Sequence, residues 1–139
     1  MHLRQRRLFG KAFQNRDFDN AIKLGQTLTF NDPTNIEILL LLLQCYEQKE
    51  DQSNFVYTLQ KFRAMTGAVF GSGDGKTEKT PFIVNSVGEE YVLLTIMKIA
   101  FNDYQRSSKI SNNGGLDRWT KGDENIYIKV LYGDDFTKK

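Results

Sequence analysis

Val69-Phe70-Gly71-Ser72-Gly73-Asp74-Gly75-Lys76 is the stretch that divides the chain into two kinds of pattern. Before it, apolar residues recur every three or four positions, the period of a helix. After it they alternate: Phe82, Val84 and Ser86 fall on one side, and Ile83, Asn85 and Val87 on the other. Alternation is the mark of a strand with one buried face. The fold class expected is therefore α+β, with helices over 1–70 and a small antiparallel β-sheet over 71–139.

Upstream of the loop, Leu8, Phe9, Ala12 and Phe13 make one helical stripe, which Asn15-Arg16-Asp17 interrupts. Asp17 is placed to cap a second helix carrying Phe18, Ala21, Ile22, Leu24, Gly25 and Leu28, which Asn31-Asp32-Pro33 ends. Thr34 and Glu37 have capping-box spacing for a third helix. That helix, through Ile36, Ile38 and the run Leu39–Leu43, is apolar on nearly every side and needs cover from several directions. A fourth helix follows with Phe55, Val56, Leu59, Phe62 and Met65, and Gly67 suits its C-terminus.

Downstream, Gly88-Glu89 reads as a turn and Tyr91–Ile99 as a strand, with a helix over Tyr91–Phe101 as the competing assignment. Asn112-Asn113-Gly114-Gly115 marks a turn before a short strand at Leu116–Thr120. A second turn at Lys121–Asn125 leads to the clearest strand, Asn125–Tyr132.

The two helical hairpins resemble tetratricopeptide repeats. Phe9-Gly10-Lys11-Ala12-Phe13 fits the L-G-x-x-Y element, and Ala21, Leu28 and Pro33 follow at the spacing of that repeat. Small residues at Gly10, Ala21 and Gly25 would let helices approach closely. The second hairpin keeps the register only at Ile38, Leu41 and Cys45. Such repeats form a groove mainly from the first helix of each pair, which makes Lys11, Gln14, Gln44 and Glu47 the candidate groove residues.

Charge and composition exclude several chemistries. The 139 residues carry a net charge of +2, with 9 basic and 7 acidic residues in 1–70 and 10 of each in 71–139. So even a balance gives no long-range attraction to nucleic acid. No run is apolar enough to insert into a membrane, and Leu3-Arg4-Gln5-Arg6-Arg7 has no signal-peptide core behind it. Met1-His2 reads as the edge of a fragment. One histidine, His2, leaves no candidate for a histidine base or metal site, and the single Cys45 allows no internal disulfide. Cys45, between Leu43 and Tyr46, reads as a buried, inert thiol.

The loop before Lys76-Thr77 has glycines, but the glycine needed for a phosphate loop falls on Phe70, one residue away from Gly71. Glu89/Glu90, Asp123/Glu124 and Asp134/Asp135 are adjacent pairs and read as solvated turn residues. Asp74 with Glu90 is the one pair whose separation could form an acid–base site. Trp119, Tyr127 and Tyr132 read as packing residues. No cofactor and no metal is implied.

Ser72-Gly-Asp-Gly75, Phe82-Ile-Val-Asn-Ser-Val87 and Glu90-Tyr91-Val-Leu-Leu94 together resemble a bacterial family known as domain of unknown function number 4919. Ile126-Tyr127-Ile128 would be its closing strand, and Arg7-Leu8-Phe9-Gly10 resembles its entry motif. The resemblance implies an exported protein (periplasm or cell surface) and points to Gly73, Asp74, Glu90 and Tyr91. The function expected is a non-enzymatic protein- or peptide-interaction module. The alternatives are a small hydrolase or carbohydrate-acting enzyme using Asp74 and Glu90, and a purely structural domain. The two halves, each near 70 residues, are expected to share an interface and unfold together, since a core of that size is marginal alone.

Overall fold

A computed structural model describes residues 3–131. The element order is α1 (Leu3–Gln14), α2 (Phe18–Asn31), α3 (Ile36–Gln48), α4 (Gln52–Phe70), β1 (Phe82–Val84), α5 (Val87–Ile96), β2 (Gln105–Ser111), β3 (Gly114–Lys121) and β4 (Glu124–Leu131). The fold is α+β. The chain divides into two compact units between Met65 and Thr66, inside α4.

In the first unit, α1 packs on α2 and α2 on α3 around Phe9, Ala12, Ala21, Leu28, Ile38, Leu42 and Cys45. Gly25 makes the close approach. A Cβ there would stand 2.6 Å from a Leu42 methyl and 3.0 Å from the Phe9 ring. Gly10 makes none, and a Cβ there would meet open space. The apolar girth of α3 is used as its composition requires, with Ile36, Ile38, Leu39, Leu42, Leu43, Cys45 and Tyr46 all buried.

Three helix ends depart from the expectation. Asn35, not Thr34, caps α3, its side chain accepting from the Glu37 and Ile38 amides at 3.0 and 3.2 Å. Asn35 stands one residue nearer the helix, so its short amide reaches both orphan N–H groups. Asp17 precedes α2 but makes no side-chain cap bond. Gly67 lies inside α4, which runs on to Phe70.

The second unit is a four-stranded sheet, order β1-β4-β3-β2, with α5 beside it. The strands β2, β3 and β4 are antiparallel, joined by two-residue turns at 112–113 and 122–123. The antiparallel expectation fails at one strand: β1 pairs parallel to β4, Phe82 opposite Ile128 and Val84 opposite Val130. The strand expected at Tyr91–Ile99 is a helix, and the turn at Gly88-Glu89 is its first turn. The reason is a pair of bonds close to a capping box: Ser86 Oγ accepts from the Glu89 amide at 3.1 Å, while Glu89 Oε1 reaches back to accept from the amide of Asn85, just before the cap, at 2.8 Å. Strand β2, Gln-Arg-Ser-Ser-Lys-Ile-Ser, has no apolar alternation because it is an edge strand exposed along its length. Tyr132, Asp134, Asp135 and His2 lie outside the described residues.

The registers place Phe82 and Val84, Ile128 and Val130, Asp117 and Trp119, and Arg106 and Ser108 on one face of the sheet. On that face Leu93 and Leu94 of α5 complete an apolar cluster. Three carboxylates, Glu89, Glu90 and Asp117, are fully buried in this unit, and Glu89 is taken up by its cap bond to the Asn85 amide.

The glycine-rich loop reaches β1 with one positive φ, at Gly75 (69°), where a Cβ would also strike the Phe82 ring. Gly73 serves closeness instead, because the Pro81 carbonyl oxygen occupies the place of its Cβ.

Candidate functional site

Helices α1 and α3, the first of each hairpin, border a groove of about 350 Å³. Its floor is Phe9, Gly10, Ile38 and Leu41, and its rims are Arg6 and Arg7 on one side and Glu37 on the other. The helical period builds it. Arg7, Gly10 and Gln14 share one stripe of α1, and Glu37, Leu41 and Gln44 share one stripe of α3. Gly10 deepens it, since no side chain rises between the two rims at that position.

The four expected groove residues are all exposed on these two helices. Gln14 and Gln44 extend the rim stripes one turn beyond the groove, and none of the four lines it directly. The lining lies one to two turns earlier, over residues the sequence had marked for other reasons: Gly10 as a repeat glycine, Ile38 and Leu41 as register positions. Near the other end of these helices Arg16 donates to Gln48 Oε1 at 3.4 Å.

The rim on α1 is basic. Arg6 pairs with Asp32 at 3.3 Å. Arg4, Arg7 and Lys11, at i, i+3 and i+7, are exposed and form no ion pair among the described residues.

Asp74 and Glu90 have separate surroundings. Asp74 is exposed and braces its own loop: Oδ1 accepts from the Lys76 amide at 2.9 Å and the Thr80 hydroxyl at 2.7 Å. The Lys76 amide, then the Thr80 hydroxyl, hold its carboxyl below the usual range. Glu90 sits in the first turn of α5, where Trp119 Nε1 donates to Oε2 at 2.9 Å. Asp117 takes most of the cationic partner, with Arg106 Nη2 at 2.8 Å and Nε at 3.0 Å, and also accepts from Ser108 Oγ at 2.6 Å. The Arg106 Nη2 to Glu90 Oε1 distance is 3.8 Å.

Two buried carboxylates thus face one guanidinium. Ionised, Glu90 Oε1 has no donor. Burial, then a hydrogen bond with Asp117, pushes its pKa up to about 8. Protonated, Glu90 donates to Asp117 and the cluster is electrically balanced. Tyr91 turns its ring edge-on to Phe101 and Trp119, centroids 5.0 and 5.7 Å apart. Sequence alone had no signal for Asp117 and Arg106 as the partners of Glu90, since register rather than spacing joins them.

Cys45 is buried, and burial pushes its thiol up to about 11, away from reactivity. Among the described residues no three His, Cys, Asp or Glu gather as a metal site, and no helix is long and apolar enough to cross a membrane.

With the groove and the buried cluster placed, the family assignment follows from a family model that matches residues 4–131. The chain belongs to the family described as domain of unknown function DUF4919. The match takes in both the DUF4919 helices that border the groove and the sheet that holds Glu90. No curated protein and no solved structure matches the chain.

Proposed function

We propose that this DUF4919 chain is a non-enzymatic binding module whose α1–α3 groove takes a peptide segment with an apolar side chain and acidic neighbours. The observation that carries this reading is the open space over Gly10 between an apolar floor and an arginine-bearing rim. An apolar side chain would settle over Gly10 and the half-buried Leu41, above the buried Phe9 and Ile38, removing surface from water at roughly 25 cal/mol per Å². Acidic groups beside it on the α1 side would meet Arg7, with Lys11 one turn further along the same helix. The sequence likeness of the first hairpin to a tetratricopeptide repeat supports the same side, because the groove lies against α1, the first helix of that pair. An acid–base role for Asp74 with Glu90 has less support, since one is exposed and loop-bound and the other is enclosed.

The test is a calorimetric titration with two synthetic peptides, one of alternating Glu and Leu and one of alternating Lys and Leu. The acidic peptide is expected to bind saturably and to weaken with salt. Gly10→Leu, whose Cβ would meet open space and whose side chain would occupy the groove, is expected to weaken it about tenfold or more. Equal binding of both peptides, or no effect of Gly10→Leu, would contradict the proposal.

A further inference from the structure

The first unit has a second opening of different chemistry. Helices α3 and α4 are joined by a tight turn, yet their backbones do not approach as α1 and α2 or α2 and α3 do. A cleft of about 370 Å³ remains between α2, α3 and α4, large enough for a small organic ligand. Leu39 and Leu42 contribute an apolar wall, and Phe30, 86% exposed, stands at its edge. Tyr57 lies under the Lys61 ammonium, 4.5 Å from ring centroid to Nζ.

Two observations give the cleft a polarity. Among the described residues Lys61 is the one charged group that lines it, and no carboxylate does. Thr29 Oγ1 is buried with no hydrogen-bond partner. A helical threonine ordinarily returns its hydroxyl to the carbonyl four residues back, as Thr27 does to Lys23 at 3.2 Å. Thr29 does not, although leaving a buried hydroxyl unpaired costs about 1–3 kcal/mol. The Tyr46 hydroxyl, by contrast, is engaged by Gln26 Nε2 at 3.0 Å.

We propose that this cleft binds a small amphiphilic carboxylate, its apolar body on Leu42 and Tyr57, its charge drawn to Lys61 and one of its oxygens accepting from Thr29, whose side chain turns about χ1 to bring the hydroxyl to the cleft. This ligand site is distinct from the α1–α3 groove and independent of what the groove binds.

The probes are phenylbutyrate, phenylbutanol and phenylbutylamine, titrated into the isotopically labelled full chain and followed by amide shifts. Phenylbutyrate is expected to move the Thr29, Tyr57 and Lys61 signals saturably, with the alcohol weaker and the amine weakest. Lys61→Gln is expected to lower phenylbutyrate affinity about tenfold, towards that of the alcohol, and Lys61→Arg to retain it. Thr29→Val, which keeps shape and removes the hydroxyl, is expected to weaken the acid and the alcohol alike. Equal binding of the three probes, shifts centred elsewhere, or no saturation up to about 10 mM would overturn the proposal. So would phenylbutyrate affinity unchanged by Lys61→Gln.

Discussion

Glu90 shows how a single buried group couples the fold to pH. Its folded pKa of about 8 lies above the ordinary 4.5, so the folded chain holds a proton the unfolded chain releases. The stability that this proton confers is whole below about pH 4.5, declines as pH rises and is gone above about 8. Glu90→Gln keeps an oxygen for Trp119 and an N–H for Asp117 but cannot ionise. Urea unfolding across that range is expected to show stability falling with pH in the parent and a flatter profile in Glu90→Gln, the variant being the more stable at the alkaline end. Parallel profiles would refute the protonated-Glu90 assignment. Two glycines give a second contrast at this scale. Gly10→Ala is expected to stabilise by about 0.5–1 kcal/mol, because a Cβ there meets open space and the helix loses a flexible residue. Gly25→Ala is expected to destabilise by about 1–3 kcal/mol, because Leu42 and Phe9 stand in the way. Thermal unfolding of both variants reads the opposite signs. Sequence had grouped Gly10 with Gly25 as close-approach residues, since a glycine in a helix does not announce which face its neighbour occupies.

Among the elements, α1 to α4 were legible because their apolar stripes have the helical period and α3 is too apolar to be anything but enclosed. Strands β3 and β4 were legible from their turns and alternation. Helix α5 was misread as a strand because Tyr91–Ile99 is apolar without a clear period, while the informative residues, Ser86 and Glu89, stood just before it. Ser86→Ala is therefore expected to cost about 1 kcal/mol by loss of the cap, read as a lower urea midpoint with an unchanged slope. An unchanged midpoint would show that α5 is held by its packing alone. Strand β2 was missed for the opposite reason: it buries no apolar side chain, and its contribution is polar, Arg106 and Ser108 reaching Asp117 across the ladder. The α1–α3 groove was legible as to which helices form it but not as to which turn, since periodicity fixes a face and not the depth along it.

At the scale of the whole molecule, each unit has about 70 residues and its own apolar cluster. Cores of that size are marginal by themselves, and we expect the two to unfold together. The chain's single tryptophan, Trp119, reports on the sheet unit, while far-UV circular dichroism is weighted towards the helices. Coincident urea transitions by the two signals are expected, and separated midpoints would establish independent domains. The central claim, that the open space over Gly10 is a peptide-binding groove, is met most directly by intermolecular nuclear Overhauser contacts in the complex with the alternating Glu/Leu peptide. The groove predicts peptide leucine methyls touching the Phe9 ring and the Ile38 and Leu41 methyls. Contacts confined to another face of the chain, or none at saturating peptide, would contradict it.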